Sequence, residues 1–178
     1  PHLIAIMCAI ALPFTTCAAA ESTPSPASGV TYEIFVASFN DHNGDGCGDL
    51  LGIVDKLDYL TSLGVDTLWL MPIHPSPSYH KYDVTDYDTI DPTYGTLEDF
   101  EALIAACQER GIAVMLDLVV NHTSNQHPWF QAACKALAAG TDSPYTSWYN
   151  FTQTPGDGYH AVPGADGWYY EGRFGNHM

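Results

Sequence analysis

Hydrophobic residues in the middle of the chain fall into three short runs that predict β-strands. The runs are rich in β-branched, aromatic and aliphatic residues and cover Tyr32–Phe39, Val65–Met71 and Ile112–Val120. Pro72 directly follows the second run and predicts its end. The third run is almost wholly apolar, which is typical of a parallel strand buried on both faces.

Amphipathic segments between these runs predict α-helices. Within Gly52–Leu63, apolar residues recur at the spacing of a helix face, and the next glycine is in a helix-ending position. Before the third run, Thr96 and Asp99 form a capping-box pair, and Gly111 predicts the end of the helix that they open. The order βαβαβ predicts an α/β fold with a parallel sheet, either doubly wound or a barrel.

The placement of polar residues favours the barrel. They gather directly after each predicted strand, where barrel enzymes build their active sites. No G-x-G-x-x-G follows the first strand, so a dinucleotide site is unsupported. After Asn121 the chain becomes rich in Pro, Gly, Trp, Tyr and Thr, and only Trp129–Ala139 has helical character. This part is predicted to be an irregular insertion.

The first residues have the pattern of an export signal. Leu3–Leu12 is an uninterrupted apolar run, too short to span a bilayer, and small residues follow at Ala18 and Ala20. We therefore predict a signal peptide over residues 1–20 and a Ser/Pro/Ala-rich linker over 21–30, giving a secreted or periplasmic protein without a transmembrane span. Cys17 leaves open a second interpretation, a lipid anchor that would make the protein a cell-surface lipoprotein.

The composition of the chain limits which classes of molecule it can bind. The 178 residues include 21 Asp and Glu but only 5 Lys and Arg, a formal charge of -16 that repels nucleic acid and anionic lipid. A hydrophobic share of 46% is enough to bury a core. Of 5 cysteines, three lie outside the export segment at unrelated spacings, so no disulfide framework or zinc site is indicated.

An acidic loop after the first strand is a candidate calcium site. In DHNGDGCGD the oxygen-bearing side chains of Asp41, Asn43, Asp45 and Asp49 alternate with glycines, so they and the carbonyl of Cys47 can face one centre. The loop is not an EF-hand, because its twelfth position holds a glycine where a bidentate Glu belongs. A solvated Asp/Gly turn is the alternative.

Two further groups of residues follow the second and third strands. Asp117, Asn121 and His122 lie at the end of the third strand and can bind substrate hydroxyls, although Asn121 can equally cap a turn and His122 can be an ordinary surface or core residue. In the loop after the second strand, Tyr82 can stack on a sugar ring, and the neighbouring acids can bind hydroxyls or solvate the loop. That loop carries Tyr79, His80, Tyr82, Asp83, Asp86 and Tyr87.

Taken together, three segments resemble the α-amylase family of glycoside hydrolases. They are YEIFVASFNDHNGDGCGDLLGI, HPSPSYHKYDVTDYDTIDPTYGT and DLVVNH, the last similar to the family signature Asp-x-x-x-Asn-His. The resemblance implies the N-terminal part of a (β/α)8 TIM barrel with an irregular B domain inserted after strand three. Residues 31–121 would form the first βαβαβ part, and residues 122–178 the start of the B domain, truncated.

The resemblance also implies roles for the candidate residues. His122 would hydrogen-bond the sugar beside the scissile bond, Tyr82 would stack on it, and Asp117 would support the site from the strand end. The acidic loop would hold a structural Ca²⁺ through Asp41, Asn43, Asp45, Cys47 and Asp49. In some relatives the residue matching Asn121 ligates a different calcium. Lys81 stands where many relatives have Gly, and we expect it to alter the rim of the sugar pocket.

The function implied is hydrolysis of α-1,4-glucosidic bonds in starch-like glucans or maltooligosaccharides by a retaining mechanism. In this family the nucleophile Asp, the acid/base Glu and a third Asp come from later strands, so we expect no catalytic carboxylate in this chain and an inactive isolated fragment. The alternative is a non-catalytic carbohydrate-binding or scaffold relative of the same fold. A calcium-binding module alone would leave DLVVNH unexplained.

Overall fold

The computed structural model describes residues 29–172, and its centre is a parallel sheet of three strands. The strands are β1 (Val30–Ile34), β2 (Val65–Leu70) and β3 (Ala113–Leu116), hydrogen-bonded in the order β1-β2-β3. The pairing register sets Ile34 beside Leu70 and Leu70 beside Leu116, the last residue of each strand. All three loops that follow the strands therefore start at one edge of the sheet.

Three helices connect these strands and a fourth follows them. They are α1 (Leu50–Asp55), α2 (Leu57–Ser62), α3 (Leu97–Glu109) and α4 (Pro128–Ala139). Short 3-10 helices occur at Val36–Ser38 and Thr146–Trp148. The predicted order of strands and helices is present, so the sheet has the parallel βαβαβ connectivity that the hydrophobic pattern predicts.

Element boundaries differ from the prediction in the first strand, in the first helix and in the third strand, which ends at Leu116 and not at Val120. The first predicted strand ends at Ile34 and continues into the 3-10 helix, because Gly48 N donates to Ala37 O at 2.8 Å and draws the chain into a turn. The first predicted helix begins two residues earlier, at Leu50, where the Asp49 side chain accepts the N–H of Gly52 at 2.6 Å. It is also divided at Lys56 into α1 and α2.

The capping box before α3 is confirmed. The Thr96 side chain accepts the N–H of Asp99 at 3.2 Å, and the Asp99 carboxylate accepts the N–H of Thr96 at 2.8 Å. Each side chain thus satisfies a backbone donor that a helix start leaves without an intrahelical partner. This local exchange fixes the start of α3 independently of its tertiary packing.

The main core lies between the sheet and the helices α1, α2 and α3. Side chains that are fully buried there each contribute about 1.5–3 kcal/mol relative to an exposed position. They come from both layers and include Leu50, Ile53, Leu57, Leu60, Leu68, Leu70, Leu103 and Cys107. The core thus holds the helices of the βαβαβ unit against the sheet.

The region after β3 has a smaller core of its own. Helix α4 packs on a three-stranded antiparallel sheet of β4 (Phe151–Thr152), β5 (Tyr159–Ala161) and β6 (Tyr169–Glu171), ordered β4-β6-β5. The buried residues of this smaller core are Phe130, Cys134, Val162, Ala165 and Tyr170. The segment is therefore an irregular layer of loops, one helix and a small sheet.

The cysteines at positions 47, 107 and 134 are all free thiols, and two of them are buried in separate cores. Burial raises the pKa of both Cys107 and Cys134 to about 11. These thiols behave as small apolar side chains, because the reactive thiolate is scarce at neutral pH.

Some predictions concern residues outside the described range. The signal peptide over 1–20, nearly all of the linker over 21–30, and the alternative lipid anchor at Cys17 fall there. Across residues 29–172, none of the helices combines the length and the apolar character that a bilayer crossing requires.

Strand β3 departs from the expectation of burial on both faces. Leu116 is 37% exposed, and beyond the strand end Leu118 and Val120 are 71% and 80% exposed. Within residues 29–172, β3 pairs only with β2, which leaves its second edge open. An unpaired strand edge next to exposed apolar side chains is a template for association.

We expect the 178-residue polypeptide, expressed alone, to self-associate through this edge. Introducing charge with Leu118→Lys and Val120→Lys together is expected to reduce the associated fraction in light scattering, because charged side chains at an edge oppose strand pairing. The matched control is Leu63→Lys with Leu97→Lys, two exposed leucines on the helical side. A wild-type monomer with one sharp unfolding transition would contradict the expectation.

Candidate functional site

The carboxylate of Asp117 is the centre of a cluster at the C-terminal edge of the sheet. Asp117 directly follows β3 and extends its ladder, since its N–H donates to Leu70 O at 3.1 Å. Oδ1 accepts the indole N–H of Trp69 at 2.7 Å, and Oδ2 accepts the hydroxyl of Tyr82 at 2.5 Å. The two donors come from β2 and from the loop that follows it, so the carboxylate is held from two sides.

Tyr82 acts as a hydrogen-bond donor in this cluster. Partial burial, together with the hydrogen bond to Asp117 and its negative charge, raises the pKa of Tyr82 to about 12. The phenol therefore remains protonated throughout the range in which enzymes work. Its hydroxyl can therefore donate to Asp117 over that range.

His122 contacts the backbone of the same tyrosine. Its Nε2 lies 3.0 Å from the carbonyl oxygen of Tyr82, and its Nδ1 lies 3.2 Å from the side-chain amide nitrogen of Asn121. A neutral imidazole with the proton on Nε2 satisfies both contacts, donating to the carbonyl and accepting from the amide. The structure thus brings Tyr82, Asp117 and His122 into one constellation.

Trp69 is a member of this constellation that the sequence analysis did not single out. It lies in β2 opposite Met115 and is less buried than the residues on either side of it. The indole can be anticipated only from the register of β2 and β3, which sets Trp69 one position before the strand end that adjoins Asp117. A single strand pattern carries no such information.

The side chain of Lys81 is mostly buried and is paired with Asp91, and its effect on the rim of the sugar pocket stays a prediction. Its backbone has φ 64°, the one positive φ outside glycine between residues 29 and 172. For a residue with a Cβ atom this conformation costs about 1–2 kcal/mol. Its Nζ lies 2.7 Å from Asp91 Oδ2, and the two side chains are only 12% and 6% exposed.

Asp91 is a well-supported partner for this lysine. Burial favours its neutral form, but the hydrogen bonds from Lys81 and Thr93 and the lysine charge outweigh that effect and lower the pKa of Asp91. Thr93 donates from its N–H at 2.9 Å and from its hydroxyl at 2.5 Å. The Lys81 ammonium also lies 5.4 Å from the ring centre of Tyr94. Removing one partner of a buried ion pair costs about 3–5 kcal/mol.

Other members of the loop after β2 have structural partners. Asp83 is 1% exposed and accepts the hydroxyls of Ser76 and Ser78. Tyr79 is 79% exposed and packs edge-to-face on Phe35, with ring centres 6.2 Å apart. The carboxylate of Asp83 therefore binds hydroxyls of its own loop, whereas that of Asp117 binds the hydroxyl of Tyr82.

Tyr87 joins a separate aromatic cluster. Its hydroxyl donates to Val119 O at 2.6 Å, and its ring stacks on Trp129 with centres 5.9 Å apart. His127, 3% exposed, accepts the N–H of Trp129 at 3.2 Å and caps α4. The rings of Tyr145 and Trp148 also contact Trp129. This cluster joins the loop after β2 to α4 and was not anticipated from the sequence.

The acidic loop after β1 curls through successive side-chain turns. The Asp41 carboxylate accepts the N–H groups of Gly44 at 2.7 Å and Gly46 at 2.8 Å. Asn43 Oδ1 accepts the N–H of Asp45 at 2.9 Å, and Asp45 Oδ1 accepts that of Cys47 at 2.8 Å. The hydrogen bonds from Gly46 and Gly44 lower the pKa of Asp41. These turns hold the side-chain oxygens close to the backbone of the loop.

Asp49 differs from the other acids of the loop because it is 5% exposed and has two tasks. Its Oδ1 caps α1, and its Oδ2 accepts the N–H groups of His42 at 3.2 Å and Asn43 at 3.3 Å. A Cβ atom on Gly52 would overlap the carbonyl oxygen of Asn40. The position at which an EF-hand has its bidentate Glu therefore has no room for a side chain.

The donor chemistry of this loop fits Ca²⁺, because its side chains present hard oxygens that each keep a lone pair beyond the one used by a backbone N–H. However, no three His, Cys, Asp or Glu side chains between residues 29 and 172 are grouped closely enough to hold a metal ion. The ion pairs of this part of the chain use Asp55, Asp58 and Asp91 and leave the loop carboxylates to other partners.

Known proteins with similar sequences include glycosidases. The chain is 56% identical over 120 residues to α-amylase 3 of Dictyoglomus thermophilum, covering 67% of this chain and 23% of the relative. It is 50% identical over 130 residues to the trehalose-6-phosphate hydrolase of Bacillus subtilis, covering 72% and 22%. The chain thus spans about a quarter of the length of these curated relatives.

The fold and the family agree with these similarities. The solved structure of Amy13B from Eubacterium rectale superposes with a TM-score of 0.79 at 54% identity, covering 83% of this chain and 30% of that one. Residues 33–175 match the family model described as the α-amylase catalytic domain. The predicted start of a (β/α)8 barrel is thereby confirmed. The chain belongs to the α-amylase family of glycoside hydrolases.

Proposed function

We propose that this chain is the N-terminal part of the catalytic barrel of an exported enzyme. That enzyme hydrolyses α-1,4-glucosidic bonds in starch-like glucans with retention of configuration. The observation that carries the proposal is the cluster of Tyr82, Asp117 and His122 at the C-terminal edge of a parallel sheet. Barrel enzymes build their active sites at this edge. A partly exposed phenol ring beside fixed polar groups suits a neutral sugar.

Charge supports a neutral glucan over a phosphorylated sugar. The relatives include both an α-amylase and a trehalose-6-phosphate hydrolase, so the family alone leaves the substrate open. An anionic substrate needs a cation close to the site, and Lys81, the cation next to Tyr82 in the chain, is engaged by Asp91. The formal charge of -16 also opposes approach of an anion.

The chemistry needs a nucleophilic carboxylate and an acid/base carboxylate about 5–5.5 Å apart. We assign neither role within residues 29–172, where Asp117 is occupied by two donors and the other candidate acids serve loops. The proposed enzyme obtains both groups from other parts of the protein, consistent with relatives about four times as long as the match. A non-catalytic carbohydrate-binding relative is the competing proposal.

The decisive experiment is an assay of the protein, as its gene encodes it, on soluble starch and on maltooligosaccharides, with product stereochemistry followed by NMR. Release of α-configured reducing sugars supports the retaining hydrolase. Binding of maltooligosaccharides without hydrolysis supports the carbohydrate-binding alternative. Hydrolysis of trehalose 6-phosphate with no action on starch would contradict the proposed substrate.

We expect Tyr82→Ala to lower kcat/KM on maltooligosaccharides by on the order of a hundredfold, because loss of the ring misplaces the sugar. Tyr82→Phe keeps the ring but removes the donor to Asp117, so we expect a loss of about tenfold from that hydrogen bond to a charged acceptor. The matched control is Tyr79→Phe, a change at an exposed tyrosine of the same loop. Equal activity of Tyr82→Ala and wild type would contradict the placement of the sugar.

A structural Ca²⁺ in the loop of Asp41, Asn43, Asp45, Cys47 and Asp49 is also proposed, supported by the oxygen donors and the curled backbone. Bound calcium would offset the mutual repulsion of the three carboxylates and hold the loop. Of these, Asp49 would also link the ion to the start of α1, because its carboxylate caps that helix.

Calcium is expected to stabilise the protein by about 2.7 kcal/mol at roughly one hundred times its Kd, since it binds only the folded loop. The pair of substitutions Asp41→Asn and Asp45→Asn should abolish the calcium-dependent rise in Tm measured by calorimetry. Asp88→Asn, an exposed acid in another loop, serves as the control. A wild-type Tm that is the same in calcium and in chelator would contradict the site.

Export is proposed from the apolar run Leu3–Leu12 and the small residues Ala18 and Ala20. The expected result is a mature protein in the medium or periplasm whose N-terminus, determined by mass spectrometry, lies near residue 21. Lipid attached at Cys17, abolished by Cys17→Ser, would instead support the cell-surface lipoprotein. A full-length protein recovered from the cytoplasm would contradict both.

A further inference from the structure

Lys81 has a backbone conformation that favours glycine, yet it carries a long side chain. This combination indicates that the side chain has a function. Its backbone adopts φ 64°, a conformation that favours glycine, and its long side chain is almost fully buried. A lysine in an exposed turn would gain nothing from this geometry. Here the ammonium reaches Asp91, ten residues further along, at 2.7 Å.

The acceptor of this ion pair is hydrogen-bonded to the segment that follows β2. Asp91 donates its N–H to Ile73 O at 2.8 Å, three residues after the end of β2, and Thr93 holds its carboxylate. The Lys81 ammonium lies over the ring of Tyr94. The backbone carbonyl of Tyr94 accepts the N–H of Leu50 at the start of α1. Lys81 is thus tied to a segment that is hydrogen-bonded both to the chain after β2 and to the start of α1.

The residue that follows Lys81 is the central donor of the site. Tyr82 directs its hydroxyl to Asp117 and its carbonyl to His122, so both ends of one residue are used. No helix or strand lies between residues 70 and 97, so the backbone here is held by local contacts: the Tyr82 N–H donates to His80 Nδ1 at 3.1 Å, and the Lys81 N–H donates to Ser78 O at 3.3 Å. A tether immediately before Tyr82 can determine where both of its polar groups lie.

We propose that Lys81 is a positioning residue for the sugar site, whose ion pair with Asp91 holds the left-handed turn that presents Tyr82 to Asp117 and His122. The inference rests on the proposed function, because it takes Tyr82 as the sugar platform. Lys81 itself does not touch the substrate. It acts through the backbone of Tyr82, and the anchoring charge lies on the side of the loop away from solvent.

The test is a double-mutant cycle in the protein as its gene encodes it, with maltooligosaccharide hydrolysis as the assay. Lys81→Met removes the charge and keeps much of the side-chain length. Lys81→Gly removes the ion pair but adopts a positive φ without strain. Each is combined with Tyr82→Ala. Arg110→Met, which breaks the ion pair of Arg110 with Asp58 on the helical side, is the matched control.

We expect Lys81→Met and Lys81→Gly each to lower kcat/KM about tenfold when Tyr82 is present, because small displacements in a site are costly. In the Tyr82→Ala background, we expect either Lys81 substitution to change kcat/KM by less than about twofold. The effects of two residues that act through one another are not additive. The control should leave kcat/KM unchanged. A purely structural lysine would lower Tm but leave kcat/KM unchanged at temperatures where the variant is folded.

Full activity of Lys81→Gly would overturn the proposal, because backbone conformation alone would then suffice. An equal loss with and without the Tyr82→Ala substitution would overturn it too. If the wild type hydrolyses no α-glucoside, the proposed function fails while the positioning role remains testable by crystallography of Lys81→Met. Displacement of the Tyr82 hydroxyl from Asp117 supports positioning, and an unchanged hydrogen bond refutes it.

Discussion

The parallel register of β1, β2 and β3 is the constraint on which the candidate site depends. Because Ile34, Leu70 and Leu116 end their strands side by side, the loops that follow all begin on one edge. Hydrogen bonding continues for one more residue on β3, which fixes the backbone of Asp117 against Leu70. A shift of about two residues in this register would separate Asp117 from Trp69, and the cluster would lose its centre.

Features that depend on neighbouring residues could be predicted from the sequence. The capping box of Thr96 and Asp99 is such a case, because both partners lie within one helical turn. The order of strands and helices was also predictable, since periodicity reports which residues face a core. Tyr82, Asp117 and His122 were singled out by their place after strands and by family resemblance, and the structure brings them together. Their roles toward a sugar remain predictions.

Features that depend on distant contacts could not be predicted. Trp69 and Asp117 are 48 residues apart, and nothing local pairs an indole with that carboxylate. The early end of β1 follows from Gly48, where an added Cβ would overlap the carbonyl oxygen of Val36, so the acidic loop presses against the strand exit. The burial of Lys81 likewise depends on Asp91, whose position is set by the backbone after β2.

The two buried thiols have a consequence for the redox chemistry of the folded chain. Disulfide exchange proceeds through the thiolate. A thiol whose pKa is about 11 is ionised in only about one molecule in ten thousand at about pH 7. Cys107 and Cys134 lie in different cores, whereas Cys47 is a partly exposed thiol that packs against the core of Cys107. Of the three free thiols within residues 29–172, folding thus withholds two from disulfide exchange and leaves Cys47 partly accessible to an oxidant.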